Sequence, residues 1–192
     1  YWQWEGEKPP ENLSKRPLFT MGKRATISFG IVIAHHSVPL AIALENLWEA
    51  EKKAKEHAYK GFDGKKVKKD AVQVRVLYGN GNILKSTAKF DVFYQWQKLL
   101  AGNSDASLFE AVAGLWQQHP IPMIEAIEVW VNAFSSRREN LTTENREAFQ
   151  KDLSNFLKHL WLTTENDPND LNEAVRSWMK LAAFMTRKRE IK

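Results

Sequence analysis

Hydrophobic positions repeat with two different periods in the first half of the chain. Residues 25–34 read Ala-Thr-Ile-Ser-Phe-Gly-Ile-Val-Ile-Ala, alternating at first and then continuously apolar. That pattern is typical of a strand buried in a sheet that helices cover. Beyond Pro39 the apolar residues recur every three or four positions and predict a helix over about 39–58. Its apolar stripe consists of Leu40, Ala43, Leu44, Leu47, Ala50 and Ala54.

A second β pattern follows a basic, glycine-containing connection at 59–70. Valines alternate with other residues over 72–77, and another extended run begins at Ile83. The Asn80-Gly81 pair between the two runs favours the positive φ angles of a tight turn. The sequence therefore predicts a β-hairpin here.

From Asp91 onward the hydrophobic spacing is helical throughout. The breaks between helices are short, which favours antiparallel neighbours in a bundle. Four stripes with three-to-four spacing follow one another: Leu108, Val112 and Leu115; Ile124, Ile127, Val131 and Phe134; Phe149, Leu153, Phe156 and Leu160; and Leu171, Ala174, Trp178, Leu181 and Met185. The predicted fold class is therefore α+β, with a β-containing domain at 1–90 and a helical bundle at 91–192.

Composition narrows the functional classes only slightly. Hydrophobic residues make up 43% of the 192 positions, charged residues 27%, and the net charge is +5. The absence of cysteine excludes disulfides and Cys-based zinc sites and favours a cytoplasmic location. No apolar run approaches the roughly 20 residues of a membrane span. The aromatic opening at Tyr1 predicts a fragment of a larger protein, and prolines make residues 1–24 irregular in this prediction.

Two local motifs are similar to nucleotide-polymerising palm domains. The run Ala25 to Ile31 resembles the Thr-x-Ser-x-Gly strand of diguanylate-cyclase-type domains, and Ala54-Lys55-Glu56 resembles their Ala-Lys helix end. The continuation from Gly30 through His35-His36 to Pro39-Leu40, with the 72–81 hairpin, resembles the second palm of the large subunit of type III CRISPR–Cas effectors, especially the III-B (RAMP module) branch. This resemblance covers about residues 18–90 and is only architectural over the bundle.

The resemblance implies a partial ferredoxin-like, cyclase-like palm followed by a helical domain. In that family two palms bind ATP and join it into cyclic oligoadenylate when target RNA is bound. A Gly-Gly-Asp-Asp turn holds the metal, Mg²⁺ or Mn²⁺. The implied partners are the small helical subunit and a neighbouring RAMP subunit, both reached through 91–192, together with crRNA and target RNA. Some members carry an HD nuclease domain.

The sequence departs from that family at the catalytic motif. It contains no Gly-Gly-Asp-Asp and no His-Asp pair. Phosphoryl-transfer chemistry of this type depends on metal ions that bridge phosphate oxygens. We therefore expect this chain to be inactive and free of metal by itself, with catalysis confined to its full-length parent.

Five residues are candidates for nucleotide binding, each with a simpler structural interpretation. Ser28 and Gly30 would allow close approach of a nucleotide, or of a packed helix. His35 and His36 stand at a strand end, where a contact to nucleotide competes with a hydrogen-bonding role. Lys55 matches a phosphate-contacting lysine of the cyclases, or pairs with Glu51 one helical turn away.

Lysines and tryptophans form two further groups of interest. The run Lys60, Lys65, Lys66, Lys68 and Lys69 is interpreted as a solvated loop, with contact to a nucleic-acid backbone as the alternative. Most of the bundle tryptophans should be core residues, and one or two would mark a protein-binding face. They are Trp116, Trp130, Trp161 and Trp178.

Two other functions remain open from the sequence. One is a non-catalytic helical scaffold, or protein-binding module, that keeps a vestigial half-palm. The other is half of a diguanylate-cyclase-like domain. The motif upstream of Tyr1 would separate the three hypotheses.

Overall fold

The computed structural model describes residues 26–60, 64–102, 105–121, 123–138, 141, 143–164 and 168–189, although for 143, 144, 168, 169, 188 and 189 only the backbone. The predicted irregular segment 1–24 lies outside these residues. In chain order the elements are β1 (Ser28–Ala34), α1 (Leu40–Glu56), β2 (Ala58–Lys60), β3 (Lys66–Lys68), β4 (Ala71–Leu77), β5 (Ile83–Lys89), α2 (Phe90–Ala101), α3 (Ala106–Gln118), a 3₁₀ turn (Ile124–Ala126), α4 (Ile127–Ser136), α5 (Thr143–Thr163) and α6 (Pro168–Arg189).

The described strands form a three-stranded sheet in the order β1-β4-β5 and a separate two-stranded hairpin, β2-β3. β1 and β4 are parallel and directly adjacent, with Ser28 opposite Ala71 and Ala34 opposite Leu77. β4 and β5 are antiparallel. The α+β class is therefore confirmed, and the crossover between the parallel strands runs through α1.

The two faces of the sheet are covered by different helices. In β1 and β4, the residues on the same face of the sheet as Gly30 and Arg75 point toward α1. Val72, Val74 and Val76 of β4 point to the opposite face and join the core of the helices. The buried side chains of the sheet and of the bundle form one cluster, and β5 runs into α2 without a linker. The bundle thus serves as the second cover of the sheet.

The helix predictions are confirmed closely, but their packing differs from a simple antiparallel series. Of the stripe residues, Leu108, Ile127, Phe149 and Leu181 are examples of side chains that are almost fully buried. The main pairs are α3 with α6 and α2 with α5, while α4 lies on α5. Among the described helices, none combines the length and apolarity that crossing a membrane requires.

Two turn predictions need correction. Asn80 does not take a positive φ angle; Gly81 alone does in this turn, at 85°. The strands are joined by a longer loop, 78–82, which closes through a hydrogen bond from the Tyr78 amide to the Asn82 carbonyl (2.9 Å). The second correction concerns 59–70, predicted as a plain connection. It contains the β2-β3 hairpin, because Tyr59 and Val67 pair across its short strands.

Candidate functional site

The carboxyl ends of β1 and β4 meet at a small histidine cluster. The His35 amide donates to the Leu77 carbonyl at 2.9 Å, which fixes the end of β1 against β4. His35 Nδ1 lies 2.8 Å from Ser37 Oγ, and the rings of His35 and His36 have centroids 4.1 Å apart. Both histidines are exposed. Ligands of open sheets with parallel strands bind beyond the carboxyl ends of those strands, so this is the natural ligand edge.

A glycine in the next loop shapes this histidine cluster. A Cβ atom on Gly79 would lie 2.9 Å from His35 Nδ1 and 3.1 Å from Ser37 Oγ. Any side chain there would push the imidazole away from the strand end. The Gly79-Asn80-Gly81 motif therefore supports the position of His35 as well as the turn itself.

Ser28 and Gly30 lie on β1, an outer strand of the three-stranded sheet, on the face that α1 covers. A Cβ atom on Gly30 would stand 2.6 Å from the Glu51 amide nitrogen and 2.7 Å from the Leu47 carbonyl oxygen. The helix backbone thus fills the space over this glycine, in line with the packing interpretation. Ser28 Oγ is buried, and no described atom hydrogen-bonds to it.

Gly30→Ala should therefore lower the free energy of unfolding by about 1–3 kcal/mol, because the new methyl group forces α1 away from the sheet. Urea denaturation followed by circular dichroism measures this change. Gly114→Ala is the matched control, since Gly114 is an exposed helical glycine with no neighbouring atoms within 4 Å of its Cβ position. That control should gain about 0.5–1 kcal/mol. Equal effects at both positions would contradict close packing of α1 on Gly30.

Lys55 lies far from the histidines. It is about 22 Å along α1 from Leu40, at 1.5 Å per residue, near the opposite end of the sheet. Its Nζ pairs with Glu51 on the same helix face, as the structural interpretation expected. The structure therefore brings His35 and His36 together but places Lys55 elsewhere.

A buried arginine network joins α1 to β4, and the sequence reading missed it. Arg75 is 1% exposed; its Nε donates to Gln73 Oε1 at 2.7 Å, and its Nη1 donates to Asn46 Oδ1 (2.9 Å) and Glu49 Oε2 (2.7 Å). The hydrogen bond and the charge of Arg75 lower the pKa of the Glu49 carboxyl. Alternation such as Gln-Val-Arg-Val is typical of a strand with one exposed polar face, but every residue of β4 is buried.

A buried lysine fixes the β2-β3 hairpin to the end of β5. Lys89 Nζ donates to the carbonyls of His57 (3.0 Å), Val67 (3.4 Å) and Lys69, and it lies 5.5 Å from the centre of the Tyr59 ring. Burial lowers the pKa of this amine. The side chain ties three backbone segments together at the amino-terminal end of β4.

The two outer edges of the three-stranded sheet differ sharply. At the β5 edge the indole Nε1 of Trp178 donates to the Thr87 carbonyl at 3.2 Å, so α6 covers that strand. At the β1 edge no described strand pairs with β1 on the side away from β4. Exposed apolar side chains lie on β1 and on the residue before it: Ile27 (57%), Phe29 (47%) and Ile31 (37%).

Helix α1 places further exposed apolar side chains on the other face of the sheet at the same edge. Asn46 and Glu49 reach toward β4, and Leu47 lies over Gly30 of β1, so the opposite side of the helix projects beyond the free edge. That side bears Leu40 (72% exposed), Leu44 (38%) and Trp48 (65%). We call these three residues with Ile27, Phe29 and Ile31 the open-edge patch. Among the described tryptophans, Trp48 rather than a bundle tryptophan thus lies on an exposed apolar face.

The bundle tryptophans are largely core residues, as predicted. Trp116 and Trp178 are buried, and Trp130 and Trp161 pack partly buried against the same core. Within the described residues, no three His, Cys, Asp or Glu side chains lie close enough together to hold a metal ion. Comparison of the chain with protein-family models and with curated proteins finds no match.

Proposed function

We propose that this chain is the C-terminal part of the large subunit of a type III CRISPR–Cas effector, contributing half of a cyclase-like palm and the helical domain behind it. The observation that carries the proposal is the asymmetry of the sheet. One edge is capped by Trp178, whereas the other has no neighbouring strand among the described residues and is flanked on both faces by apolar side chains. An edge of this kind is suited to pairing with a further strand, which in this proposal comes from another segment of the parent protein.

The motifs behind the resemblance lie at the two ends of β1. The Thr-x-Ser-x-Gly run leads into β1, the strand at the open edge, and His35 and His36 follow at the ligand edge. In this proposal the histidines contact the ATP nucleotide, and Gly30 and Ser28 keep β1 close under α1. Lys55 pairs with Glu51 near the carboxyl end of α1, so it would contact a phosphate group only at the end of the helix that lies away from the histidines.

In this proposal another segment of the parent protein holds the catalytic metal, because the sequence contains no Gly-Gly-Asp-Asp motif. The proposal therefore assigns the metal to the parent's other palm segment, and no catalytic step to this chain. The helical part, 91–192, would contact the small subunit and the neighbouring RAMP subunit next to crRNA and target RNA in the cytoplasm.

Assembly of the complete effector tests this function. The full-length subunit, its partner subunits and crRNA are mixed with target RNA, ATP and Mg²⁺, and products are separated by chromatography and mass spectrometry. We expect cyclic oligoadenylate from the wild type. Leu44→Asp with Trp48→Asp should abolish it, because two charges would be buried where the palm halves meet. Val67→Asp is the control, since Val67 is 37% exposed on β3, outside both the open-edge patch and the helical part that would contact the other subunits.

The alternative outcomes separate the competing functions. Cyclic dinucleotide as the product would favour a diguanylate-cyclase-like domain. Normal assembly of the complex with no nucleotide product would favour a helical scaffold whose open-edge patch only docks a protein. A Lys55→Ala subunit with unchanged yield would remove Lys55 from the nucleotide site.

A further inference from the structure

Positive charge is concentrated in one short segment of the chain. Residues 51–69 contain eight lysines against three acidic residues, a balance of +5. Because the net charge of the whole protein is also +5, the positive and negative charges of the remaining residues cancel. A local excess of positive charge attracts polyanions when the fold brings the charged side chains together.

The fold arranges part of this segment as the two walls of a groove. One wall is the last turns of α1, with Lys52 and Lys55, and the other is β3, with Lys66 and Lys68. The pairing of Tyr59 with Val67 places Val67 on the opposite face of the hairpin from its two lysine neighbours. Together with Glu51 and Glu56, the four lysines line an open cleft of about 480 Å³, here called the lysine groove.

The acidic residues do not neutralise the lysine groove. Glu51 pairs with Lys55, and Glu56 is held by Lys53, a lysine outside the groove lining, at 3.1 Å. Lys52 and Lys68, one on each wall, have no carboxylate partner among the described residues. All four groove lysines are exposed. The groove therefore offers ammonium groups from both walls to a ligand that lies between them.

The walls are held in place by buried groups. Lys89, which is 4% exposed, anchors the hairpin through the carbonyls on either side of it. Ala54 and Ala50 are fully buried and hold α1 against the sheet. Binding would therefore cost little reorganisation of the backbone.

We infer that the lysine groove binds the phosphate backbone of nucleic acid without reading its bases. Lysine is a point charge suited to phosphate, and the lining contains no aromatic ring for stacking and no amide side chain for base edges. It also contains no exposed apolar residue that would enter a membrane surface. The inference is independent of the proposed palm function.

Fluorescence anisotropy with the 192-residue chain tests the inference. The probes are labelled oligouridylate and oligoadenylate of about 20 nucleotides in about 0.1 M salt. The groove variant is Lys52→Glu with Lys68→Glu, one change on each wall. The control variant is Lys151→Glu with Lys180→Glu, which changes two exposed lysines on α5 and α6 and the net charge equally. Thermal unfolding of each variant checks that it is folded.

We expect the groove variant to bind both probes at least about 20-fold more weakly, since each phosphate contact contributes about fivefold at this salt concentration. The slope of log affinity against log salt should become shallower by about 1.4. The control should stay within about threefold of the wild type. Equal weakening by the two variants, a strong preference for one probe, or binding of phosphatidylserine vesicles without binding of RNA would each overturn the inference.

Discussion

Replacement of Trp178 by alanine is expected to lower the free energy of unfolding by about 3–5 kcal/mol, the usual cost of removing a fully buried aromatic side chain. Trp178 is 0% exposed, and its ring lies 5.1 Å from that of Trp96 and 5.9 Å from that of Phe93. Its indole also donates to Thr87 of β5, and its own carbonyl accepts a bond from Trp96 Nε1 at 3.1 Å. The residue therefore joins the sheet to the bundle.

Urea denaturation followed by far-ultraviolet circular dichroism measures the effect of Trp178→Ala. Trp178→Phe is the control, because it keeps most of the packing and loses the hydrogen bond to Thr87, at a cost of about 1–2 kcal/mol. A single cooperative transition for both variants would agree with the one buried cluster that sheet and helices share. A loss below about 1 kcal/mol for the alanine variant would show that the junction is not packed as described.

Arg75→Met should cost about 2–4 kcal/mol, because it leaves Gln73 and Asn46 without their donor under α1. The expected loss of stability is smaller than for breaking a fully buried ion pair, because the Glu49 side chain is half exposed and can be rehydrated. The same denaturation assay measures it. A change within experimental error would contradict a structural role for the buried guanidinium group.

The pH dependence of Glu49→Gln complements that experiment. The folded-state pKa of Glu49 is lowered, so the ionised carboxylate stabilises the fold above its usual pKa near 4.5. That contribution is lost as the pH falls through the lowered value. Wild type and Glu49→Gln should therefore differ at neutral pH and converge in acid, and a constant difference would exclude the ion pair with Arg75 as its source.

The elements that local patterns determine were predictable from the sequence. The stripe of α1 and the valine alternation of β4 gave bounds close to the observed Leu40–Glu56 and Ala71–Leu77. The β2-β3 hairpin was missed because its strands have three residues each, too few for a period, and because a buried lysine from β5 secures them. The many lysines of this segment predicted a solvated loop instead of a hairpin.

The candidate site was only partly accessible from the sequence. The strand-end position of His35 and His36 follows from their place after an apolar run, and they do lie at the carboxyl end of β1. The prediction that this run is a buried strand was wrong, because β1 is an outer strand of the described sheet and Phe29 and Ile31 are exposed.

The burial of Arg75 could not be predicted, because its acceptors Asn46 and Glu49 lie 26 to 29 positions away in the chain. The open-edge patch depends on which sheet edge α6 covers, and that is a property of the tertiary fold.

Amide hydrogen exchange over β1 tests the central claim most directly. The exchange rates of residues 28–34 are compared between this chain and the longer parent subunit that we propose for it, with α4 (Ile127–Ser136) as the internal reference. If β1 is completed by another segment of the same sheet, its amides should exchange about tenfold or more slowly in the full-length protein, while α4 stays unchanged. Identical exchange of β1 in both proteins would contradict the division of a palm at this edge.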